Sequence, residues 1–234
     1  HQHTPIGFLA SLDFLGPRTF IPHAIYTSGS RYVDEKDKRD LKLLSDSGTT
    51  VIHCPIIMAR HGLALESIGK YARAGIRIGM GTDTFPPDMI QNMRIGSSIA
   101  KSLEKDTNAC TSADFFRMVT MGGANALGRD DLGRLIPGAK ADMIVIDLDD
   151  LHIGTVDDPI RTMVLNASGT DVKTSIIHGR IVMQDRKIPG IDVDVMCEQA
   201  QKYFEKMKNA YSERDYLQRP VDMLFLPSFR TRVK

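Results

Sequence analysis

Short apolar runs recur at a regular distance along the first third of the chain. Each begins just after a glycine or a Gly-Pro pair, and they occupy residues 19–25, 49–55 and 76–83. Each run ends in polar or ionisable groups, and His23, His53 and Asp83 follow one another at intervals of 30 residues. Because one strand-helix unit is about 30 residues long, the pattern predicts successive parallel β-strands.

The stretches between these runs have the pattern of amphipathic helices. Residues 34–47 and 63–74 place apolar side chains at helical spacing among charged ones, and Gly48 and Gly75 end them. Strands that alternate with such helices are typical of parallel α/β sheets and barrels. In those folds functional groups collect at the carboxyl ends of the strands, which is where the three polar run ends lie.

The remaining two thirds of the chain first continue as helix and then become rich in β-strands. The predicted elements are helices at residues 89–104, 112–127 and 193–211, a buried strand at 143–147, and strands at 174–177 and 181–183. Ser112 is a candidate N-cap, and the last two strands flank a tight turn, His178-Gly179-Arg180. Residues 216–234 contain two prolines and carry no pattern that predicts an element.

Composition narrows the class of protein. The chain is 42% hydrophobic and 25% charged, the balance of a soluble globular protein, and 30 basic against 29 acidic residues give no reason to expect a nucleic-acid partner. No apolar run approaches the roughly 18 residues that span a bilayer, so we expect no membrane association. Three widely spaced cysteines argue against a disulfide framework, which favours a reducing compartment, the cytoplasm.

Two of the run ends suggest metal chemistry. Imidazole nitrogens and carboxylate oxygens are ligands that divalent metals prefer, so His23 and Asp83 at neighbouring strand ends could form part of such a site. A carboxylate beside a metal-bound water can also take up its proton, which indicates hydrolysis. The spacing alone leaves a second interpretation open, in which the histidine is a hydrogen-bonded core residue and the aspartate caps a helix.

Several short motifs, taken in order, resemble a known family. They are Pro22-His23, His53-Cys54-Pro55, Gly81-Thr82-Asp83, residues 124–128, and Gly133-x-Leu135-x-Pro137-Gly138-x-Lys140-Ala141-Asp142. Their order and spacing resemble the amidohydrolase superfamily, in particular its triazine hydrolase (chlorohydrolase) and nucleobase deaminase branch. The resemblance runs from about residue 5 to about residue 190.

The resemblance implies an α/β fold, the carboxyl-terminal part of a (β/α)8 TIM-type barrel together with part of a small β-sandwich domain. Residues 1–128 would form the partial barrel, about strands six to eight with the following helices. Residues 129–190 would form the sandwich portion, and residues 191–234 a carboxyl-terminal helix and tail.

The resemblance also implies the roles of individual residues. Asp83 would be a metal ligand and proton shuttle, and His23 would lie beside the metal as a ligand or as a contact to hydroxide or substrate. His53 would lie near the substrate with a less certain role. From their positions alone, Phe85 and His61, on loops after strands, are further candidates for substrate contact; Phe85 could equally cap the barrel, and His61 could be an ordinary exposed loop residue. The implied cofactor is one divalent ion, zinc or iron.

The beginning of the chain departs from the family pattern. His1-Gln2-His3 looks like the family's first-strand His-x-His metal motif, but only 80 residues separate His3 from Asp83. Eight strand-helix units need on the order of 200 residues. We therefore expect His1 and His3 to be loop residues before a helix that starts at Thr4-Pro5. We also expect the chain to be the carboxyl half of a larger enzyme, inactive alone, whose remaining ligands lie upstream.

The function that the resemblance implies is hydrolysis of a carbon–nitrogen, non-peptide bond in a small cyclic or heteroaromatic substrate, with deamination as the expected reaction. Dechlorination or opening of an amide ring are alternatives within that class. A non-catalytic homologue or interaction domain that keeps the fold is the alternative from another class. The expected partners are a small-molecule substrate and, in the full-length protein, further copies of the same chain.

Overall fold

The computed structural model describes residues 3–229 and contains two compact units, with the boundary between Arg186 and Lys187. The first unit contains two three-stranded sheets, whose strands are β1 (Phe20–Pro22), β2 (Thr50–His53), β3 (Arg77–Met80), β4 (Met143–Ile146), β5 (Val172–Ile177) and β6 (Arg180–Gln184). Its α-helices are α1 (Pro5–Ser11), α2 (Arg39–Ser47), α3 (Pro55–Arg60), α4 (Ile68–Arg73), α5 (Met89–Glu104), α6 (Ser112–Arg117), α7 (Gly123–Ala126) and α8 (Pro159–Asn166).

The first sheet contains the three strands predicted from the 30-residue repeat. Its order is β1-β2-β3, all parallel, with Ile21 opposite Val51 and Val51 opposite Ile78. Helices α2 and α4 lie between the strands in sequence, as the alternating pattern predicts. The shared direction of the strands places their carboxyl ends at one edge of the sheet.

The core of the first unit lies between this sheet and its helices. Val51 of β2, Leu44 of α2 and Phe115 of α6 are completely buried, and Ile68 and Tyr71 of α4 are nearly so. These side chains include the apolar positions of the two predicted crossover helices. Burial of their apolar surface is the main force that holds the helices on the sheet.

Both crossover helices begin later than their patterns predict. Residues 34–38 lie in a loop, in which the Gly29 amide donates to the Glu35 carbonyl (2.6 Å) and the Arg39 amide donates to the Asp37 carboxylate (3.0 Å). Because these bonds hold the chain in a loop conformation, α2 starts only at Arg39. The helix predicted from residue 63 starts at Ile68, where the Ser67 hydroxyl caps the Lys70 amide.

The helix predicted over residues 112–127 is interrupted. Thr111, and not the predicted Ser112, is its N-cap, in a reciprocal capping box with Asp114. One turn of π-helix, Met118–Gly122, separates α6 from α7. A β-carbon on Gly122 would lie 2.5 Å from the Ile78 carbonyl oxygen of β3, so the missing side chain is what lets the π-turn approach that strand.

The second sheet is antiparallel, in the order β4-β5-β6. The tight turn between β5 and β6 is present as predicted, with His178 and Gly179 both at positive φ, as two-residue hairpin turns require. The prediction of a buried strand at residues 143–147 is wrong. The strand itself is present as β4, but Ile144 and Val145 are about half exposed.

The second unit is helical within its described residues. It contains α9 (Val193–Asn209), which matches the helix predicted from the sequence to within two residues, followed by α10 (Tyr211–Arg214) and α11 (Val221–Leu224). Phe225 packs edge-on against Tyr211 and Phe204, with ring centroids 5.4 and 6.5 Å away. The predicted division of the chain at residues 128 and 190 stays a prediction.

The close approach at Gly122 generates a matched pair of substitutions. We expect Gly122→Ala to destabilise the full-length protein by about 1–3 kcal/mol, because the new methyl group must displace the backbone of β3. Gly123→Ala changes the neighbouring residue, whose β-carbon would meet open space in a helical backbone. It should be neutral or stabilise by about 0.5–1 kcal/mol. Urea unfolding of both variants measures the difference, and equal midpoints would contradict this packing.

Candidate functional site

The polar ends of the three parallel strands meet at the carboxyl edge of the first sheet. His23 follows the last residue of β1, His53 is the last residue of β2, and Asp83 lies three residues after β3. The strand pairing continues to this edge, because the His23 amide donates to the Ile52 carbonyl (2.8 Å) and the Gly81 amide donates to the His53 carbonyl (3.1 Å). The sheet therefore fixes all three backbone positions.

His23 and Asp83 form the centre of the site. The Nε2 atom of His23 lies 3.2 Å from the Oδ2 atom of Asp83. The His23 side chain is 23% exposed and the Asp83 side chain 59% exposed, so the pair lies at the surface with the carboxylate outermost. The Nδ1 atom of His23 is buried and has no hydrogen-bond partner among residues 3–229.

The backbone at these positions is strained. His23 (φ 64°), Ala24 (φ 46°) and Asp83 (φ 45°) all adopt left-handed conformations, although none is a glycine. Such conformations cost about 1–3 kcal/mol each and persist only where the surrounding structure holds them. Their concentration around the His23–Asp83 pair is typical of a functional site.

His53 ends β2, the middle strand of the sheet, and is only 5% exposed. Burial, together with a smaller effect of repulsion from His23, lowers the pKa of its imidazole to about 4. The centroid of its ring lies 6.4 Å from the centroid of the Phe115 ring. A neutral histidine therefore fills the core behind the strand ends, and its predicted contact with substrate stays a prediction.

Phe85 and His61 lie on loops after β3 and α3. Phe85 is 82% exposed, and the backbone that carries it is anchored by Arg60, whose Nη1 atom donates to the Phe85 carbonyl and to the Thr84 hydroxyl, both at 2.7 Å. His61 is exposed, with its Nδ1 atom 2.8 Å from the Ile57 carbonyl. Sequence reasoning missed the anchoring role of Arg60, because that role depends on the fold of two loops.

Two further predictions concern Cys54 and the His-x-His segment at the start of the chain. Cys54 is a buried thiol, as expected for a packed core residue, and burial raises its pKa to about 11. His3 is exposed just before α1, and the Thr4 hydroxyl caps that helix. His1 of the His-x-His segment lies outside the described residues.

The donor chemistry of the pair fits a zinc-type metal, but the pair is not a complete site. One imidazole nitrogen and one carboxylate oxygen within 3.2 Å of each other are suitable ligand atoms. Within residues 3–229 no group of three or more His, Cys, Asp or Glu side chains is arranged to hold a metal ion. A catalytic zinc site uses three protein ligands, so His23 and Asp83 would be part of a larger ligand set.

Comparison with known proteins identifies the family. Residues 1–182 match the amidohydrolase family, and the chain belongs to it. It is 31% identical over 88% of its length to a 5-methylthioadenosine/S-adenosylhomocysteine deaminase of Haloquadratum walsbyi, and 34% identical over 88% of its length to the protein of the same name from Pelotomaculum thermopropionicum. The chain spans 46% of the length of each of these relatives.

Solved structures show the same α/β fold. An adenosine deaminase from Xanthomonas campestris with bound zinc has a TM-score of 0.78 at 22% identity, over 88% of this chain and 46% of the other. A mutant of atrazine chlorohydrolase from Arthrobacter aurescens TC1, complexed with zinc and atraton, has a TM-score of 0.75 at 21% identity, over 86% of this chain and 44% of the other. The family expected from the sequence motifs is therefore confirmed.

Among residues 3–229, no helix combines the length and the apolar character that crossing a membrane requires.

The buried position of His53 predicts a pH dependence of stability. Its pKa is about 4 in the folded protein and 6.5 in the unfolded chain, so the unfolded chain binds more protons between these values. The neutral form of His53 thus contributes about 3 kcal/mol to the free energy of unfolding. This contribution is complete above pH 6.5 and is lost as the pH falls towards 4.

Unfolding of the full-length protein at several pH values measures this contribution. In His53→Gln the loss of stability between pH 6.5 and pH 4 should be smaller than in the wild type, because the titrating group is absent. His61→Gln removes an exposed histidine and should keep the wild-type dependence. If His53→Gln and the wild type lose stability in parallel, His53 is not buried in its neutral form.

Proposed function

We propose that the full-length protein is a metal-dependent hydrolase that deaminates a purine-type heteroaromatic ring, releasing ammonia from a carbon–nitrogen, non-peptide bond. The observation that carries the proposal is the 3.2 Å approach of His23 and Asp83 at adjacent strand ends in a chain of the amidohydrolase family. The names of the relatives support the substrate class, since they are deaminases of 5-methylthioadenosine and S-adenosylhomocysteine.

The same proposal assigns the chain its place in a larger architecture. The three parallel strands would be the last three of a (β/α)8 barrel, and the β4-β5-β6 sheet would be part of a small β-sandwich. Two observations support this placement: the strands are parallel and joined through helices, and the chain aligns with slightly less than half of each relative.

Asp83 would ligate one divalent ion, zinc or iron, together with ligands from elsewhere in the full-length protein, and His23 would be a further ligand or would lie beside the ion as a contact to hydroxide or substrate. When bound, such an ion lowers the pKa of water and polarises the ring that water attacks. Zinc is the metal of the adenosine deaminase and chlorohydrolase structures that share the fold, which supports zinc over iron.

The side chains of this chain would bind and orient the substrate and would transfer a proton. Asp83, the more exposed member of the pair, can accept a proton at Oδ2 and pass it to the leaving amino group. His23 faces that carboxylate through Nε2, and where this nitrogen is not a metal ligand it can donate a hydrogen bond to the atom on which negative charge develops. Phe85 offers an exposed ring against which a flat heterocycle can stack, and His61 lies on the preceding loop.

Location and assembly belong to the proposal as well. Cys54, Cys110 and Cys197 are all free, which supports a reducing compartment such as the cytoplasm. We propose a homo-oligomer with a small-molecule substrate and with neither nucleic acid nor membrane as a partner. The nearly balanced charge supports the exclusion of nucleic acid.

Substitution of Asp83 tests the proposed proton transfer. Asp83→Asn keeps the size of the side chain and tolerates the left-handed backbone, but it cannot carry the proton. We expect kcat of the full-length protein to fall by about 10³-fold or more, since metal ligation and proton transfer are lost together. The assay is release of ammonia from 5-methylthioadenosine, S-adenosylhomocysteine and adenosine.

A matched control is available at Asp13. This aspartate is exposed, also has a left-handed backbone (φ 53°), and follows α1 away from the strand ends, so Asp13→Asn should keep wild-type turnover. Asp83→Asn with kcat within about tenfold of the wild type would contradict the assigned role. Chloride release from a chlorotriazine without ammonia release from any nucleoside would replace deamination by dechlorination, and no turnover of either class would favour the non-catalytic alternative.

A further inference from the structure

The turn that presents His23 to Asp83 is joined to a tyrosine of a different helix. Tyr71 lies on α4, and its hydroxyl is 2.6 Å from the carbonyl oxygen of Ala24, the residue after His23. We propose that Tyr71 is a positioning residue for the reaction, because its hydroxyl holds the Ala24 carbonyl and thereby fixes the left-handed turn that directs His23 towards Asp83. The proposal rests on the function proposed above.

The turn needs such support because of its conformation. The Ala24 amide donates to the Pro22 carbonyl at 2.7 Å, which closes a three-residue turn around His23. With φ of 64° at His23, this is the rare and strained form of that turn. Ala24 follows at φ 46°, where its own β-carbon is crowded by the backbone. Two consecutive left-handed residues other than glycine will relax unless both ends of the turn are held.

One end of the turn is held by the sheet and the other by Tyr71. On the sheet side, the His23 amide donates to the Ile52 carbonyl of β2 at 2.8 Å. On the far side, the only proton of the Tyr71 hydroxyl points to Ala24, so the Thr27 hydroxyl, 2.9 Å from the same oxygen, must be the donor to Tyr71. The Tyr71 hydroxyl therefore accepts one hydrogen bond, from Thr27, and donates one, to Ala24, which fixes the direction of its proton.

Burial keeps this hydroxyl in the form that donates. Tyr71 is 4% exposed and Thr27 is 3% exposed. Burial raises the pKa of Tyr71 to about 12, so the phenol stays protonated throughout the physiological range. A buried hydrogen bond whose partners have no access to water costs more to break than an exposed one, which makes the tie to Ala24 a strong constraint.

The residue that follows Thr27, Ser28, is held by a buried carboxylate. Asp40 of α2 is completely buried, and it accepts hydrogen bonds from the Ser28 amide at 2.8 Å and from the Thr4 hydroxyl at 2.9 Å. The Asp40 amide in turn donates to the Ser28 hydroxyl at 3.0 Å. The segment Thr27-Ser28 is thus fixed to α2, and through Tyr71 the same segment fixes the turn that carries His23.

Removal of the single hydroxyl tests the proposal in the full-length protein. Tyr71→Phe keeps the buried ring, so the core around α4 should remain packed. We expect kcat with 5-methylthioadenosine to fall about tenfold and KM to change less than about twofold, because the loss of one buried hydrogen bond misplaces His23 without removing a substrate contact. An ordinary structural role for Tyr71 would change the melting temperature and leave kcat of the folded enzyme unchanged.

Two further variants make the test specific. Tyr32 is a partly buried tyrosine whose hydroxyl accepts a hydrogen bond from the Ala64 amide. Tyr32→Phe removes that hydroxyl and should leave kcat unchanged. Ala24→Gly removes the β-carbon that disfavours the left-handed turn, so in the Tyr71→Phe background it should restore part of the lost kcat. Tyr71→Phe with kcat within twofold of the wild type overturns the proposal, as does a double variant that shows purely additive losses.

A crystal structure separates this proposal from the proposed function. If the full-length wild type does not deaminate nucleosides, crystals of the wild type and of Tyr71→Phe still decide the role of Tyr71. A Tyr71→Phe crystal in which Ala24 leaves the left-handed region and the His23–Asp83 separation increases supports it, and an unchanged turn overturns it. If Tyr71→Phe does not fold, Thr27→Val, which removes only the donor to Tyr71, should reduce kcat about threefold, and no reduction would overturn the proposal.

Discussion

The strand pairing of the parallel sheet is the constraint on which the rest of the structure depends. His23 and Asp83 are 60 residues apart in sequence, yet their side chains lie 3.2 Å from each other. No local turn brings the two residues together. Backbone hydrogen bonds between the strands, which continue to the last residues of each strand, do so instead. Because the strands are parallel and each is joined to the next through helical segments, every repeat of 30 residues places one more side chain at the same edge.

That arrangement has a conformational cost, and polar contacts from neighbouring helices offset it. The left-handed backbone at His23, Ala24 and Asp83 is unfavourable for residues with a β-carbon. A tyrosine hydroxyl from α4 holds one of these turns, and Arg60 from α3 bonds the loop that follows Asp83. Helices α3 and α4 therefore do more than cover the sheet, because their polar side chains fix the loops in which the site residues lie.

The sequence was sufficient to predict the features that depend on local pattern. The 30-residue period predicted the strands and their polar ends, because parallel strands joined by helices repeat at that distance. It could not predict the hydrogen bond of Tyr71, whose position fits the apolar face of a helix and whose hydroxyl contacts a residue 47 positions earlier. The late start of α2 likewise depends on loop contacts, and the exposure of Ile144 depends on the packing around β4; periodicity contains neither.

Crystals of the full-length protein grown with zinc, measured on both sides of the zinc absorption edge, test the central claim most directly. The account predicts an anomalous peak within about 2.0–2.3 Å of an Asp83 carboxylate oxygen, with His23 beside it and further ligands from outside this chain. A zinc ion bound elsewhere, or a fully loaded protein in which Asp83 and His23 contact only each other, would contradict the account.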